Sequence, residues 1–414
     1  MRDRRIVIVN DESRARGGAT VLALRAARDL VARGHEVVWL AGDSGDSPEL
    51  AALGVEVVAL GARALLETPR GRAAMTGIHN AAARNMVADF VANRDTPGTI
   101  YHVHAWSQIL SPSVFAALSP VAGRTLIHAH DLFLACPNGM FMDYRRDEVC
   151  TRVPLSPACL VTHCDKRSYA HKLWRVARQK ALWRAMAPFG AWGGILVLHP
   201  DMKPRLARAG FSQDGMITLR NPVQPYTARR IRAEANRGVV YVGRLEADKG
   251  VGELAAAASR AGVDLTLVGD GAMRADLAAR HPDVHITGWV DSAGIGAHVT
   301  GARALVMPSR HPEPFALVIA EAAASGLPVL VSDTALMARE VAEAGLGFSF
   351  DIFAPEGLEA ALRRIATLPD AEVRAMSERG FSRDVALGHS PEGWIDALEA
   401  EYDRARARIR GQDP

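Results

Sequence analysis

Residues 304–331 read ALVMPSRHPEPFALVIAEAAASGLPVLV, and this stretch decides the fold. Its first residues, Ala304–Met307, are apolar and predict a buried strand, and Ala316–Ser325 predicts a helix. A second apolar run, Pro328–Val331, predicts the next strand. A strand, a helix and a second strand in this order form a βαβ unit, which indicates a parallel sheet.

The same alternation of short apolar runs and helices covers most of the chain. In the first part the predicted strands are Arg5–Asn10, Glu36–Leu40, Val55–Leu60, Thr99–His104, Arg124–His130, Gly194–His199 and Met216–Leu219. The series restarts with Val239–Val242, Asp264–Val268 and Val284–Thr287. We therefore predict the α/β class, with two Rossmann-like domains that each contain a doubly wound parallel sheet.

The chain is expected to divide in a polar, arginine-rich stretch that follows Asn221-Pro222-Val223. A chain of 414 residues exceeds what one hydrophobic core usually serves, so two domains are expected. We predict a first domain over residues 1–223, a second over 224–388, and a C-terminal helix within 389–414 that packs back towards the first domain. Two such domains would face each other across a cleft at the carboxyl ends of their strands.

Composition and charge are those of an ordinary globular protein. Hydrophobic residues make up 49% and charged residues 23%, and the net charge of +3 does not indicate nucleic-acid binding. The basic start, residues 1–5, precedes an apolar run of only Ile6–Val9, so we predict no secretory signal and no membrane span. We expect a cytoplasmic protein, and peripheral contact with the inner face of the cell membrane stays open.

Two glutamates frame the loop of the opening stretch, with Glu313 before the predicted helix and Glu321 on it. If all residues between them were helical, the two would lie about 12 Å apart, one at each end of a bound nucleotide sugar. Pro314 is expected near the first helical turn, where its missing N–H is harmless. Free N–H groups at the helix start predict an anion site for a diphosphate. The residues at this start are Phe315, Ala316 and Leu317.

With this junction the sequence resembles the family 4 glycosyltransferases, retaining enzymes of the GT-B fold whose signature is Glu, seven residues, Glu. The resemblance implies that Glu313 contacts hydroxyls of the donor sugar and that Glu321 binds the ribose hydroxyls. Ala316 departs from the family, which often has glycine there so that the backbone can approach a phosphate. The alternative without function is a pair of solvated glutamates that flank a helix.

A second block, VYVGRLEADKG over residues 240–250, also follows a predicted strand. The resemblance implies that Arg244 and Lys249 neutralise the donor pyrophosphate, because a departing nucleoside diphosphate develops negative charge. A surface pair of basic residues is the alternative. The remaining predicted donor-side residues are Gly243 in this block, Gly269 and Asp270 in a glycine-containing turn, and Trp289 in a loop that resembles the family's base-reading loop.

The first domain carries weaker signals. Gly17 and Gly18 resemble the family's glycine loop beneath the donor phosphate, although a simple helix entry would also explain them. His130 ends a predicted strand and resembles the family's active-site histidine near the donor sugar. A polar strand terminus is the alternative for His130 and, more strongly, for His104 on the neighbouring strand.

Three classes of protein use an α/β architecture of this kind: sugar transferases, NAD-dependent oxidoreductases and non-catalytic sugar-binding proteins. The resemblance implies a retaining transferase that moves a sugar from a UDP-, GDP-, ADP- or dTDP-linked donor to a glycan or lipid-linked acceptor, in bacterial cell-surface polysaccharide assembly. The chain has no Asp-x-Asp motif, so a catalytic metal is not expected. An NAD-dependent oxidoreductase would need G-x-G-x-x-G after a strand, which is absent. A non-catalytic sugar-binding protein of the same fold remains the other alternative.

All cysteines fall in one proline-rich segment, predicted as an insertion over residues 131–166. Their spacing is not a familiar zinc pattern. A structural zinc ion, disulfides and unlinked cysteines are the three interpretations. The four residues are Cys136, Cys150, Cys159 and Cys164.

The segment 166–184 is basic and contains two tryptophans, with no acidic residue. Such a helix can lie on an anionic membrane surface, attract a lipid-diphosphate acceptor, or simply present a solvated face. The arginines at the end of the last predicted helix, Pro391–Arg410, carry the same ambiguity.

Overall fold

The computed structural model describes residues 4–409, which form two compact units. The first unit contains residues 4–146, 150–219 and 392–409, and the second contains 147–149 and 220–391. Residues 1–3 of the basic start lie outside the described residues, and so does Arg410 at the end of the last predicted helix.

The strands are short and mostly buried. In chain order they are β1 (Arg5–Asn10), β2 (Glu36–Ala41), β3 (Glu56–Ala59), β4 (Ile100–Val103), β5 (Thr125–Ala129), β6 (Met142–Asp143), β7 (Glu148–Val149), β8 (Gly194–Val197), β9 (Met216–Thr218), β10 (Val239–Val242), β11 (Leu265–Val268), β12 (His285–Gly288), β13 (Ala304–Met307), β14 (Val329–Ser332) and β15 (Gly347–Phe350).

The α-helices connect successive strands. They are α1 (Gly18–Ala32), α2 (Pro48–Ala52), α3 (Arg70–Thr76), α4 (Ala81–Arg94), α5 (Ser113–Leu118), α6 (Pro157–Val161), α7 (Tyr169–Met186), α8 (Met202–Ala207), α9 (Val251–Ala261), α10 (Arg274–Arg280), α11 (Ile295–Val299), α12 (Leu317–Ala324), α13 (Ala338–Glu343), α14 (Gly357–Thr367), α15 (Asp370–Ser382) and α16 (Pro391–Ile409).

Each unit is built on one parallel sheet. The first sheet has seven strands in the order β3-β2-β1-β4-β5-β8-β9, and the second has six in the order β12-β11-β10-β13-β14-β15. Every paired strand in both sheets runs parallel to its neighbour. The predicted α/β class with two doubly wound sheets is confirmed.

The order of each sheet reverses once, between β1 and β4 in the first and between β10 and β13 in the second. In open α/β sheets, ligands bind outside the carboxyl ends of the strands at such a reversal. The loops that follow β1, β4, β10 and β13 are therefore the places to look for function.

Apart from residues 147–149, the chain stays in the first unit until Leu219, four residues before the expected boundary at residue 223, and it returns to this unit at residue 392. The chain joins the second unit early because its backbone is held there. The N–H of Val223 donates to the His389 carbonyl at 2.8 Å, and the N–H of Tyr226 donates to Ser325 Oγ at 2.8 Å.

The last helix, α16, contributes to the core of the first unit. Trp394, Leu398 and Tyr402 are fully buried in one cluster with Ile6 and Trp39. The helix alternates these apolar residues with charged ones at a helical period, which gives it one side that packs on the sheet.

The basic segment 166–184 does not form a single solvated face. It lies almost entirely in α7, where Lys172 is only 1% exposed and Arg178 only 8%. The Lys172 ammonium donates to the Cys159 carbonyl at 2.9 Å, and Arg178 donates to the Ser107 carbonyl at 2.5 Å. These two residues are therefore not part of an exposed basic face, because their long side chains reach backbone carbonyls.

Candidate active site

In the second unit, the blocks of residues 240–250 and 304–331 each contain a strand that lies at the sheet reversal. Gly243 and Arg244 come directly after β10, and the loop to Glu313 comes after β13. Because β10 and β13 are neighbours in the sheet, their carboxyl ends bring these two loops together. A direct contact proves it, since Lys249 Nζ forms an ion pair with Glu313 Oε1.

Glu313 is held by three groups through one of its two oxygens. Besides Lys249, Ser309 Oγ donates to Oε1 at 2.7 Å, and His311 Nε2 lies 3.3 Å from the same atom. Burial would raise the pKa of Glu313, but the hydrogen bonds and charges of His311 and Lys249 outweigh it and hold the pKa well below its usual range. The carboxylate is therefore ionised, and Oε2 accepts no hydrogen bond from the described residues.

Ser309 and His311 were not predicted from the sequence. They lie in the quoted stretch, but only the structure shows that their side chains turn towards Glu313. The signal that could have found them is their position in a loop that must fold over the strand end, with Ser309 four and His311 two residues before Glu313.

Two glycines let the loops of this site pack closely. Gly250 has φ 71°, and a Cβ there would lie 2.0 Å from the Pro308 carbonyl oxygen. A Cβ on Gly269 would lie 1.9 Å from the carbonyl oxygen of Gly243. The predicted glycines Gly243 and Gly269 thus contact each other, and Gly250 fixes Lys249 against the loop after β13.

Arg244 and Trp289 are exposed, which suits residues that meet a ligand. The structure gives the Arg244 guanidinium no hydrogen bond or ion pair with any described residue, and the Trp289 side chain is 78% exposed. Asp270, in contrast, accepts from its neighbour Gly271 at 2.8 Å and pairs with Arg274 at 2.8 Å. Asp270 therefore shapes its own loop.

The helix after Glu313 begins later than predicted. α12 starts at Leu317 with Ala316 as its N-cap, and Pro314 lies three residues before its first residue. Residues 313–316 are non-helical, so the separation of about 12 Å, which assumed a continuous helix between the two glutamates, does not apply. No side chain caps the helix start, so its free N–H groups remain available.

Glu321 lies on α12 in a buried setting. Burial raises its pKa to about 7, although a hydrogen bond from Tyr226 opposes the rise. At neutral pH this carboxyl group is therefore divided between its protonated and ionised forms.

The first unit has a cavity of about 310 Å³ at the reversal of its own sheet. Gly17, Gly18 and His130 line it, together with Asp11 from the loop after β1. Gly17 is the N-cap of α1, and a Cβ on either glycine would meet nothing within 4 Å. The two glycines lie at the entry to α1, and the space in front of them is open to a ligand.

His130 is one end of a buried chain of imidazoles. His130 Nε2 lies 3.1 Å from His104 Nδ1, His104 Nε2 lies 3.2 Å from His102 Nδ1, and His102 Nε2 lies 3.3 Å from His128 Nδ1. Tyr402 Oη on α16 lies 2.8 Å from His102 Nδ1. His130 and His104 were predicted at strand ends, but His102 and His128 were not predicted as parts of this chain.

Burial keeps this chain neutral. It lowers the pKa of His130 and of His102 to about 3, and it places those of His104 and His128 well below the usual value. A neutral imidazole has one N–H and one lone pair, so His102 Nδ1 cannot form a separate full hydrogen bond with both His104 Nε2 and Tyr402 Oη, and these two partners share it. Nitrogen atoms of His102, His104 and His128 also lie within 4.8 Å of one another, the spacing of a three-ligand metal site.

Asp11 anchors the loop after β4. Its carboxylate accepts from the N–H groups of Gln108, Ile109 and Leu110 at 2.7, 2.9 and 2.8 Å. Burial raises its pKa against these hydrogen bonds. Asp11 was not predicted as a site residue, because an acid after a first strand has no distinctive pattern.

The four cysteines are buried and free, and they line one cavity of about 10 Å³. Thiolates around a zinc ion at 2.3 Å would be about 3.8 Å apart. Among the described residues, however, the histidines above are the one group of three or more such ligands within 4.8 Å. Lys172 Nζ instead lies 3.0 Å from Cys164 Sγ. As they stand, the cysteines do not fit a four-thiolate centre, and the zinc ion stays a prediction that elemental analysis would check.

The second unit matches a known family. Residues 236–367 match the sequence profile described as Glycosyl transferases group 1. A glycogen synthase of Mycobacterium tuberculosis is 35% identical over 182 residues, which cover 41% of this chain and 43% of that protein. A GDP-mannose-dependent alpha-mannosyltransferase of Mycolicibacterium smegmatis is 35% identical over 229 residues, 53% of this chain and 60% of that protein. The chain thus spans about half the length of the curated relatives it matches.

Solved structures agree over nearly the whole chain. Sucrose-phosphate synthase from Thermosynechococcus elongatus has a TM-score of 0.69 at 18% identity, covering 98% of this chain and 100% of that one. HepE from Anabaena, in complex with UDP and glucose, has a TM-score of 0.63 at 16% identity and covers 97% and 99%. At such identities the likeness concerns the fold, which is GT-B. Within the described residues, no helix is both long and apolar enough to cross a membrane.

Proposed function

We propose, on the premise that residues 236–367 belong to the glycosyl transferases group 1, that this chain transfers a sugar from a nucleotide-sugar donor to an acceptor hydroxyl. One observation carries the proposal. The ionised Glu313 is fixed through Oε1 by Lys249, Ser309 and His311, and its Oε2 is left without a partner among the described residues. An oriented carboxylate with one vacant oxygen is suited to accept hydrogen bonds from the hydroxyls of a donor sugar.

The chemistry that fits this site is transfer with retention of configuration. The bond between the anomeric carbon and the diphosphate oxygen breaks, the acceptor oxygen bonds to that carbon from the same face, and the leaving oxygen takes the acceptor's proton. Negative charge develops on the diphosphate as it leaves. Arg244, Lys249 and the uncapped start of α12 supply the positive potential that stabilises it without a metal ion.

The donor is proposed to carry a nucleoside diphosphate whose ribose meets Glu321. The relative named as GDP-mannose-dependent supports a guanosine donor, and the complex of HepE with UDP and glucose supports a uridine donor. The acceptor is proposed to be a glycan or lipid-linked glycan, in the assembly of bacterial cell-surface polysaccharide.

A thermal-shift screen against UDP-, GDP-, ADP- and dTDP-sugars, with NAD as a probe of the oxidoreductase class, identifies the donor. With that donor, Glu313→Gln should lower the transfer rate by about 10²–10³, the usual cost of losing one oriented electrostatic contact in an active site. The thermal unfolding midpoint should also fall, because the amide leaves the Lys249 ammonium without its counter-charge, so the rates are compared at a temperature where both proteins are folded.

Glu343→Gln is the matched control, since Glu343 is exposed on α13 in the same unit and its weak pair with Arg339 spans 4.0 Å. It should keep full activity. The proposal fails if Glu313→Gln transfers sugar at the wild-type rate, or if NAD stabilises the protein and none of the nucleotide sugars does.

A further inference from the structure

The first unit has a second, larger cavity of about 780 Å³ whose wall is rich in arginine. No described residue that lines it is acidic. The residues that matter here are four arginines and two aromatic residues: Arg70, Arg167, Arg175, Arg178, Phe133 and Trp174.

The positive charge of this cavity is only partly compensated. Arg175 pairs with Asp165 at 3.1 Å, and the charge of Arg178 interacts with Asp11. The guanidinium groups of Arg70 and Arg167 are exposed, and neither has a hydrogen bond or ion pair with a described residue. Two uncompensated guanidinium groups on one concave wall favour an anion with several oxygens, since guanidinium matches phosphate geometry.

The start of a long helix adds to this potential. α7 has 18 residues and begins at Tyr169, directly after Ser168, which lines the cavity. Ser168 Oγ accepts from the N–H of His171 at 3.1 Å, so the N-cap is formed and the positive end of the helix dipole lies at the cavity wall. Together with the arginines, the helix start is a recognised kind of phosphate site.

The same cavity also has an apolar part. Arg178 is stacked 5.7 Å from the ring centroid of Trp174 and 6.0 Å from that of Phe133. Leu66, which lines the cavity, is 73% exposed, and Met75 on the neighbouring helix α3 is 70% exposed. Exposed apolar side chains beside a basic cavity are typical of a surface that meets an amphiphile.

This cavity adjoins the one that contains His130. Gln108 and Phe133 line both cavities. A ligand held by its phosphate in the larger cavity can therefore extend directly into the space in front of His130, Gly17 and Gly18.

We propose that the larger cavity binds the acceptor, and that the acceptor is a phosphate or diphosphate ester with an apolar chain. The phosphate is bound by Arg70, Arg167 and the start of α7, and the chain leaves over Leu66 and Met75. This assignment rests on the proposed function, because it deepens the identity of the acceptor.

Farnesyl diphosphate is the probe, and calorimetry measures its binding to the full chain, with farnesol and inorganic pyrophosphate as partial ligands. Farnesyl diphosphate should bind more tightly than either. The double variant Arg70→Ala/Arg167→Ala should weaken its binding on the order of tenfold or more, because charge-assisted hydrogen bonds are lost. Arg72→Ala, on the same helix α3 but outside the cavity, should bind like wild type.

Two results would overturn the assignment. Farnesyl diphosphate could bind the double variant as tightly as it binds wild type, or farnesol could bind wild type as tightly as farnesyl diphosphate does. Nucleotide-sugar binding, followed in the same samples, separates this test from the proposed function. Intact donor binding without farnesyl diphosphate binding refutes only the acceptor assignment, whereas loss of all donor binding in wild type refutes the transferase.

Discussion

Glu321 is a carboxyl group whose charge changes with pH near neutrality. Burial on α12 raises its pKa to about 7, while Glu313 in the same unit stays ionised because Lys249 and His311 hold its pKa low. The two glutamates of the signature therefore differ in electrostatic state. One is a fixed anion, and the other becomes an anion only when a proton leaves.

Donor affinity should follow the ionisation of Glu321. A carboxylate accepts hydrogen bonds from both ribose hydroxyls, whereas the protonated acid does so less well. With a pKa of about 7, only about a tenth of the protein is ionised at pH 6, so the dissociation constant should be about tenfold higher at pH 6 than at pH 8. Calorimetric titration with the intact nucleotide sugar, which does not itself titrate there, measures this.

Glu321→Gln is the control for that pH dependence. It should bind the donor weakly and equally at both pH values. If the variant keeps the wild-type pH dependence, another group is responsible and the role of Glu321 is wrong.

The sequence indicated individual candidate residues, but it did not show their contacts. The pattern indicated Glu313 and Lys249 separately, and nothing in it showed that they pair with each other. Ser309 and His311 were missed for the same reason, since a loop's side-chain directions depend on the backbone path. His102 and His128 were missed because a histidine inside a buried strand looks like part of the core until its neighbours are known.

At the scale of elements, the loop that carries Lys249 depends on a glycine. Gly250 has φ 71° and is packed against Pro308, the first residue after β13. This contact sets the distance between the loop after β10 and the loop that contains Glu313.

Gly250→Ala should therefore damage both stability and donor binding. The left-handed conformation alone costs about 1–2 kcal/mol for a residue with a Cβ, and the contact of 2.0 Å with a backbone oxygen adds to it. Relief of the clash must move Lys249 away from Glu313. Chemical denaturation and calorimetry with the donor measure the two effects.

Gly262→Ala is the control that separates the effect of backbone strain from the effect of moving Lys249. Gly262 ends α9 with φ 66°, but a Cβ there meets nothing within 4 Å. This variant should lose about 1–2 kcal/mol of stability and keep wild-type donor affinity. Equal donor affinity of the two variants would contradict the positioning role of Gly250.

For helices and strands, the type of element was predicted better than its first and last residues or the exposure of its side chains. The helix after Glu313 was expected from Ala316 and begins at Leu317, with Ala316 as its N-cap. In α7 the sequence left a membrane-facing, an acceptor-binding and a solvated basic face open, and it did not show that Lys172 and Arg178 reach backbone carbonyls. Composition shows which residues are charged, and only packing shows which of them are exposed.

At the scale of the whole molecule, the alternation of apolar runs predicted two parallel sheets, and both are present. The order of strands within each sheet could not be derived from the alternation, because it depends on which way each crossover turns. That order places the loops after β1, β4, β10 and β13 at the sheet reversals. Because of this strand order, candidate residues that are far apart in the sequence lie close together in the structure.

The helix α16 makes the first unit depend on the end of the chain. Trp394 is fully buried with Ile6 and Trp39, although about 390 residues separate it from β1. Trp394→Ala should lower the free energy of unfolding by about 3–5 kcal/mol, the usual cost of removing a large aromatic side chain from a core. Urea denaturation followed by circular dichroism measures the loss.

Asp396→Ala is the matched control on the same helix. Asp396 is 65% exposed and pairs with Arg33 at 2.6 Å, so its removal should cost no more than about 1 kcal/mol. Donor affinity should be unchanged in both variants under conditions where they are folded, because Glu313, Glu321, Arg244 and Lys249, to which the proposed function assigns donor contacts, lie within residues 220–391. A Trp394→Ala protein that is as stable as Asp396→Ala would show that α16 contributes little to the core, and a changed donor affinity would show that the two units do not bind independently.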